Sequence, residues 1–127
     1  MSWEEGFRAS PYHQFLGLEF ALVDGVAELR MPFREELVSD PEAPYLHGGV
    51  IAALLDTAAD YAVAAQLGHG VPTIDMRVDF LKAVGREPLV ATARVVKLGR
   101  SVAIADAEAR NEQGELVAVG RVLFSTR

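Results

Sequence analysis

An α+β domain, with one antiparallel sheet of about six strands wrapped around a single long helix, is predicted by three features of this 127-residue sequence. One apolar segment, Tyr45 to Gln66, is long enough to be a crossover-sized helix. A hairpin signal precedes it and four extended runs follow it. One of those runs carries alanine at every second position, a face small enough for a helix to approach closely. A doubly wound sheet is disfavoured because there is no second helix of that size, and no Gly-x-Gly-x-x-Gly or Walker sequence marks a strand-to-helix turn. Without repeats, linkers or low-complexity tracts, residues 1–127 read as one domain.

The elements can be justified in chain order. Residues 2 to 16 mix Trp3, Phe7, Tyr12, Phe15 and Leu16 with polar groups and predict short helical turns broken at Ser10-Pro11. The runs 18–23 and 26–31 flank Asp24-Gly25, a two-residue connection that supplies the positive φ angles of a type I′ hairpin turn. Arg34 to Pro44 is acidic, contains Pro41 and Pro44, and reads as a loop in which mobility is expected. In the helix, a spacing of about 100° per residue gathers Val50, Ile51, Leu54, Leu55, Ala58, Tyr61, Ala62 and Ala65 on one apolar face. Asp56 and Asp60 lie one turn apart on the other face, flanked by Ala52, Ala53, Ala59 and Val63 where solvated helices carry Lys and Glu. Something other than bulk water is expected to cover that side. From Thr73 to Lys82, Ile74, Met76, Val78 and Phe80 alternate with charged residues, which predicts a half-buried strand. Runs at 88–98, 101–111 and 116–126 then form an antiparallel meander, with Ala103, Ala105, Ala107 and Ala109 on one face of the middle run.

Composition excludes several function classes. Half the residues are apolar, 24% are charged and the net charge is −6, with −9 in residues 1–76 and +3 in residues 77–127. An acidic chain offers no electrostatic basis for general nucleic-acid binding, although a local basic pocket for a small polyanion is compatible with the second half. There is no cysteine, hence no disulfide or thiol nucleophile, and His13, His47 and His69 lack metal-ligand spacing, so neither metal nor cofactor is implied. No uninterrupted apolar run approaches the roughly 20 residues of a membrane span, and Met-Ser-Trp-Glu-Glu lacks the basic start of a secretory signal; a cytoplasmic location with no membrane partner is expected. No Gly-x-Ser-x-Gly elbow supports serine hydrolysis.

The polar groups with chemical promise gather at the start and middle of the helix. The first amides of a helix lack intrahelical partners and sit at its positive end, and Leu46-His47-Gly48 contains no Ser, Thr, Asn or Asp to cap them. They are read as free for a ligand oxygen. Glycine at 48 and 49 removes β-carbons that would block such an approach; a plain tight turn is the competing reading. Asp56 is a poor helix former in an apolar setting, so it calls for a partner or a function. A carboxylate there could attack an electrophilic carbon, deprotonate a water, or serve as a structural cap or ion pair. Asp60 could hold a water or hinder ionisation of Asp56 by like charge, and a structural role is the default reading for it. Thr57 is read as bonding its own helix backbone or facing substrate.

The arrangement and the residues LHGGVIAALLDTAAD resemble the hotdog-fold acyl-CoA thioesterases of the PaaI-like, phenylacetate-pathway branch, with PTIDMRVDFLKA similar to that family's central strand and LGRSVAIADAEARNEQGELVAVG to its closing hairpins. The resemblance implies hydrolysis of acyl-CoA, of aromatic or medium-chain acyl groups, to a carboxylic acid and free coenzyme A. It implies that the Gly48 amide polarises the thioester carbonyl, that Asp56 drives hydrolysis, and that His47 orients the turn or approaches the carbonyl. Gly49, Thr57, Asp60 and Thr73 fall at substrate-facing positions. Arg100 and Ser101 match a turn that approaches the coenzyme A phosphates, with Lys82 and Arg86 as further cations. Where many relatives carry Asn or Gln six residues before the histidine, this chain has Pro41, and Ser39 is the nearest substitute. A non-catalytic acyl-CoA-binding module and a hotdog hydratase or dehydratase are the alternatives; for the latter, Asp40 to His47 has the wrong spacing and no Asn.

Spacing also bears on assembly. Gly48 and Asp56 are eight residues apart, about 12 Å along a helix axis, so one thioester cannot readily touch both within one chain. Two helices packed antiparallel about a two-fold axis would bring the Asp56 of one chain near the Gly48 of the other. A homodimer with shared sites is therefore expected, and the resemblance implies further pairing into a homotetramer.

Overall fold

The computed structural model describes all residues 1–127. Ser2 caps α1 (Trp3–Ala9), and Ser10 caps α2 (Pro11–Leu16), whose first residue is the proline that stopped α1. Gly17, at φ 69°, ends α2 and turns the chain into β1 (Glu19–Val23). Asp24 and Gly25 have φ of 50° and 78°, the type I′ geometry that the sequence predicts, and close the hairpin to β2 (Val26–Met31) with Val23 opposite Val26. The following segment is more ordered than its composition implies: it contains a 3₁₀ turn, Glu35–Leu37, and Val38 bridges to Leu46. Then come α3 (Gly48–Leu67), β3 (Thr73–Phe80), β4 (Leu89–Leu98), β5 (Val102–Arg110) and β6 (Leu116–Ser125).

All six strands form one antiparallel sheet in the order β1-β2-β4-β5-β6-β3, curled around α3 in the hotdog arrangement. Ala103, Ala105, Ala107 and Ala109 of β5 are buried together with Ala91 and Ala93 of β4, so the centre of the sheet presents a small-residue bed to the helix. Gly120 of β6 continues that bed: a β-carbon there would lie 3.5 Å from Leu55 and 3.3 Å from the Arg77 carbonyl. Leu54, Leu55, Ala58 and Ala62 fill the bed as the periodicity predicts. Ala59 and Val63, assigned to the polar side by the sequence, are also buried, because a curled sheet touches more of the helix circumference than a flat one. At 20 residues, with mean hydropathy 1.4 over its apolar window, α3 matches a membrane span by length and composition; Asp56 and Asp60 hid this in the sequence.

β3 departs from expectation. Within the chain it is an edge strand, bonded only to β6, not a central one. Met76 and Val78 face the core cluster, whereas Ile74 and Phe80 are 56% and 55% exposed, so the strand is less covered than its alternation predicts.

Candidate functional site

The entry to α3 is fixed by backbone hydrogen bonds. The Leu46 N–H donates to the Val84 carbonyl at 2.9 Å, and the His47 N–H donates to the Leu37 carbonyl at 2.8 Å. His47 is the N-cap residue. Its Nδ1 accepts the Gly49 N–H at 2.9 Å, and its carbonyl accepts the Val50 N–H at 3.0 Å. The turn is therefore capped, contrary to the sequence expectation, by an imidazole nitrogen doing the work usually assigned to a Ser, Asn or Asp oxygen. Accepting at Nδ1 requires that position unprotonated, which assigns the neutral ring's hydrogen to Nε2. The Gly49 amide is thus spent inside the chain. The Gly48 amide makes no hydrogen bond.

The two glycines differ sterically as well. A β-carbon on Gly49 would meet the His47 ring at 3.0 and 3.1 Å, so the cap itself demands glycine. A β-carbon on Gly48 would rest on the Phe80 ring at 3.6 Å, an ordinary contact. Gly48 opens onto an apolar depression of about 310 Å³ lined by Tyr45, Leu46, Ile51, Phe80 and Leu81.

Two turns along α3, the half-buried Asp56 accepts the Thr73 hydroxyl at 2.8 Å through Oδ1. Thr73, singled out in the sequence as a substrate-facing hydroxyl, is thus joined to Asp56 within the chain, a pairing the sequence did not indicate. Asp60 Oδ1 accepts the Val71 N–H at 3.2 Å. Burial pushes the Asp60 carboxyl up from 3.8 to about 7, opposed by the Val71 hydrogen bond and reinforced by the Asp56 charge. Like-charge strain between the two acids thus appears on Asp60, where the sequence expected it on Asp56. The Thr57 hydroxyl donates to the Ala53 carbonyl at 2.7 Å and serves its own helix. Gly68, at φ 89°, ends α3 and lets the chain double back so that β3 begins beside Asp56.

The three candidate cations and Ser101 do not form one cluster. Arg100 and Ser101 occupy the exposed β4–β5 turn, where the Thr126 hydroxyl donates to the Arg100 carbonyl at 2.7 Å and the Thr126 N–H to the Ser101 carbonyl at 3.0 Å. The Ser125 N–H donates to the Pro72 carbonyl at 3.0 Å, so that turn shares the Thr73 end of the sheet. Lys82 and Arg86 follow β3 at the opposite end, beyond a strand of eight residues, about 23 Å long. Both are ion-paired, Lys82 with Glu115 and Arg86 with Glu35; Arg86 also donates to the Ala43 carbonyl at 3.4 Å and lies 5.7 Å over the Phe33 ring. Pro41 is exposed, and the Ser39 hydroxyl donates to the Tyr45 carbonyl at 3.3 Å, well inside the loop.

Within one chain the two groups are therefore kept apart. Gly48 lies against Phe80 at one end of β3, and Asp56 is bonded to Thr73 at the other. Sequence reasoning missed Phe80 as Gly48's neighbour and Val71 as Asp60's partner; the exposed-looking alternation of β3 was the only signal for the first.

The thioesterase superfamily profile matches residues 43–118. The medium/long-chain acyl-CoA thioesterase YigI of Escherichia coli K12 is 30% identical over 119 residues, covering 81% of this chain and 77% of that protein. A solved thioesterase-superfamily structure is 40% identical with a TM-score of 0.90, covering 94% of this chain and 92% of that one. The E. coli PaaI protein from the phenylacetic acid degradation operon is 26% identical with a TM-score of 0.85, covering 96% and 88%.

Proposed function

The chain belongs to the thioesterase superfamily, as a PaaI-like hotdog thioester hydrolase, and on that footing we propose that it hydrolyses acyl-CoA at a site shared by two copies of the chain. The acyl group is medium-chain or aromatic. The observation that carries the reading is the division of the site: an unpartnered helix-initial amide at Gly48, an acid at Asp56 held by Thr73, and an open strand edge between them. Antiparallel pairing of two β3 edges about a two-fold axis would cover Ile74 and Phe80 and bring the Thr73 end of each strand to the Phe80 end of its mate. Gly48 of one chain then faces Asp56 of the other, twice per dimer. Pairing of dimers into a tetramer is compatible with this arrangement.

In the proposed reaction the thioester oxygen accepts the Gly48 N–H, reinforced by the positive end of α3, as negative charge develops on it. The Asp56 carboxylate adds to the carbonyl carbon, or takes a proton from a water that does; the C–S bond breaks and the departing thiolate is protonated. Direct attack leaves an anhydride that water opens. The apolar depression around Tyr45, Ile51, Phe80 and Leu81 supports an apolar acyl group beside Gly48. Arg100, at the Asp56 end, supports a contact to the coenzyme A phosphates, and the same pairing brings Lys82 and Arg86 of the mate toward that end. YigI's medium/long-chain preference is consistent with the acyl class.

A panel of aryl, straight-chain and branched acyl-CoA substrates, assayed by thiol release, tests the proposal. Turnover by the wild type, with a fall of about 10³-fold in Asp56→Asn and coenzyme A binding retained, is the expected result. An inert wild type that still binds coenzyme A would favour a binding module, and full activity in Asp56→Asn would remove the acid's role.

A further inference from the structure

Asp60 has no part in the bond changes of that reaction, yet it is a half-buried acid one helical turn beyond Asp56. Resting on that reading of Asp56, we propose that Asp60 is a positioning residue that clasps the start of β3, so that the Thr73 hydroxyl holds the Asp56 carboxylate in a fixed orientation. Residues four apart lie along one stripe of a helix, so Asp56 and Asp60 face the same short extended segment. Asp60 takes the Val71 N–H at 3.2 Å, and two residues on, Asp56 takes the Thr73 hydroxyl at 2.8 Å. Helix and segment are joined at two points.

The sheet alone does not fix Thr73. Thr73 pairs with Phe124, but the register shifts between Thr73 and Asp75, so the regular β3–β6 ladder is interrupted just after the residue that contacts Asp56. Such an irregularity re-aims the side chains beside it. On the other side, Pro72 has no N–H to donate and is tied only through its carbonyl, which accepts the Ser125 N–H at 3.0 Å. Val71 is 7% exposed, and its amide has Asp60 as acceptor. Removing that acceptor leaves a shielded N–H unpaired, an instability that the segment relieves by moving. Movement at Val71 carries Thr73 with it.

Hydrogen bonding to Val71 needs an oxygen at Oδ1 and no charge. The rise of the Asp60 carboxyl to about 7 agrees with a group that functions without being a permanent anion beside Asp56. Asparagine, which offers the same oxygen with no charge, should therefore serve in its place.

The test compares Asp60→Ala, Asp60→Asn and Asp56→Asn with wild type in steady-state thiol release and in hydrogen exchange at the Val71 amide. The expected result is a fall in kcat of about tenfold in Asp60→Ala with KM within about threefold, loss of Val71 protection, and recovery of both to within about twofold in Asp60→Asn. Wild-type kcat in Asp60→Ala overturns the proposal. So does an Asp60→Asn variant as impaired as Asp60→Ala, because the carboxylate charge would then be what matters. Unchanged Val71 protection in Asp60→Ala also overturns it. Exchange at Val71 reports on the clasp whether or not Asp56 is the reactive acid, whereas full activity in Asp56→Asn removes the reactive role of Asp56 and leaves the clasp itself standing.

Discussion

The Gly48 and Asp56 regions of α3 solve opposite problems. At Gly48 every neighbouring amide is satisfied, Leu46 by Val84, His47 by Leu37 and Gly49 by the His47 ring, and one N–H is left over facing an apolar depression. At Asp56 the polar group that could react is already braced by Thr73, and the next acid along the helix is bonded to Val71. One region keeps a donor vacant; the other holds an acceptor still. A vacant donor suits a charge that arrives with substrate, and a braced acid suits a group that must meet it in a fixed direction. The contrast explains why neither region alone looks like a complete site.

The braced region carries the largest predicted energetic effect. Burial raises the Asp60 carboxyl to about 7 while the unfolded chain releases that proton near 3.8. Between those values the folded protein holds a proton that the unfolded chain has lost, so stability is fully present below about pH 4 and declines as pH rises toward 7. The decline is bounded at about 4 kcal/mol. The groups facing Asp60 are the Asp56 carboxylate, the Tyr61 phenol and the Val71 N–H, of which only the last offsets the penalty. Urea unfolding from pH 4 to 7 should show this slope in wild type and a flatter one in Asp60→Asn.

The vacant donor can be removed without removing the helix. His47, with ψ 131°, already has the backbone a residue before proline adopts, and Gly48 is the first helical position, where proline is favoured. Gly48→Pro should therefore fold and melt near wild type while kcat falls about 10²-fold. A Gly48→Pro enzyme with undiminished kcat would show that the amide is idle.

Smaller effects come from the supports. Thr73→Val keeps shape but withdraws the hydroxyl from Asp56, and kcat should drop about tenfold with little change in melting temperature. Replacing His47 with Ala removes the cap and should cost about 1 kcal/mol of stability, most of it recovered by His47→Asn, since asparagine is a preferred cap. Equal melting of all three proteins would mean that the Nδ1 bond contributes nothing.

Local rules made much of this legible. Asp24-Gly25 specified the hairpin because two positive φ angles are a property of those two residues, and the alanines of β5 specified the bed because strand periodicity needs no partner. What stayed hidden depends on distant pairing. The placement of β3 at the sheet edge follows from its bonding to β6, some forty residues later, and no alternation within β3 encodes that. Lys82 and Arg86 looked available because their partners, Glu115 and Glu35, are 33 and 51 positions away. Ala59 and Val63, beside the two aspartates, were expected to be covered and are; what a helical wheel hid is that the chain's own curled sheet reaches that far round the helix. His47 was passed over as a cap because the usual caps are oxygens. Of the site, Asp56 and Thr73 were each singled out, but their hydrogen bond was not, and it, like the Asp60–Val71 clasp, required knowing how the chain returns after Gly68.

Subunit complementation tests the shared site most directly. Gly48→Pro and Asp56→Asn chains are each assayed alone, then mixed, unfolded and refolded together. Random pairing makes half of the dimers hybrid, and each hybrid contains one site with an intact Gly48 from one chain and an intact Asp56 from the other. The account predicts that the mixture regains about a quarter of wild-type activity. A mixture no more active than its components, with hybrid dimers present, would contradict it.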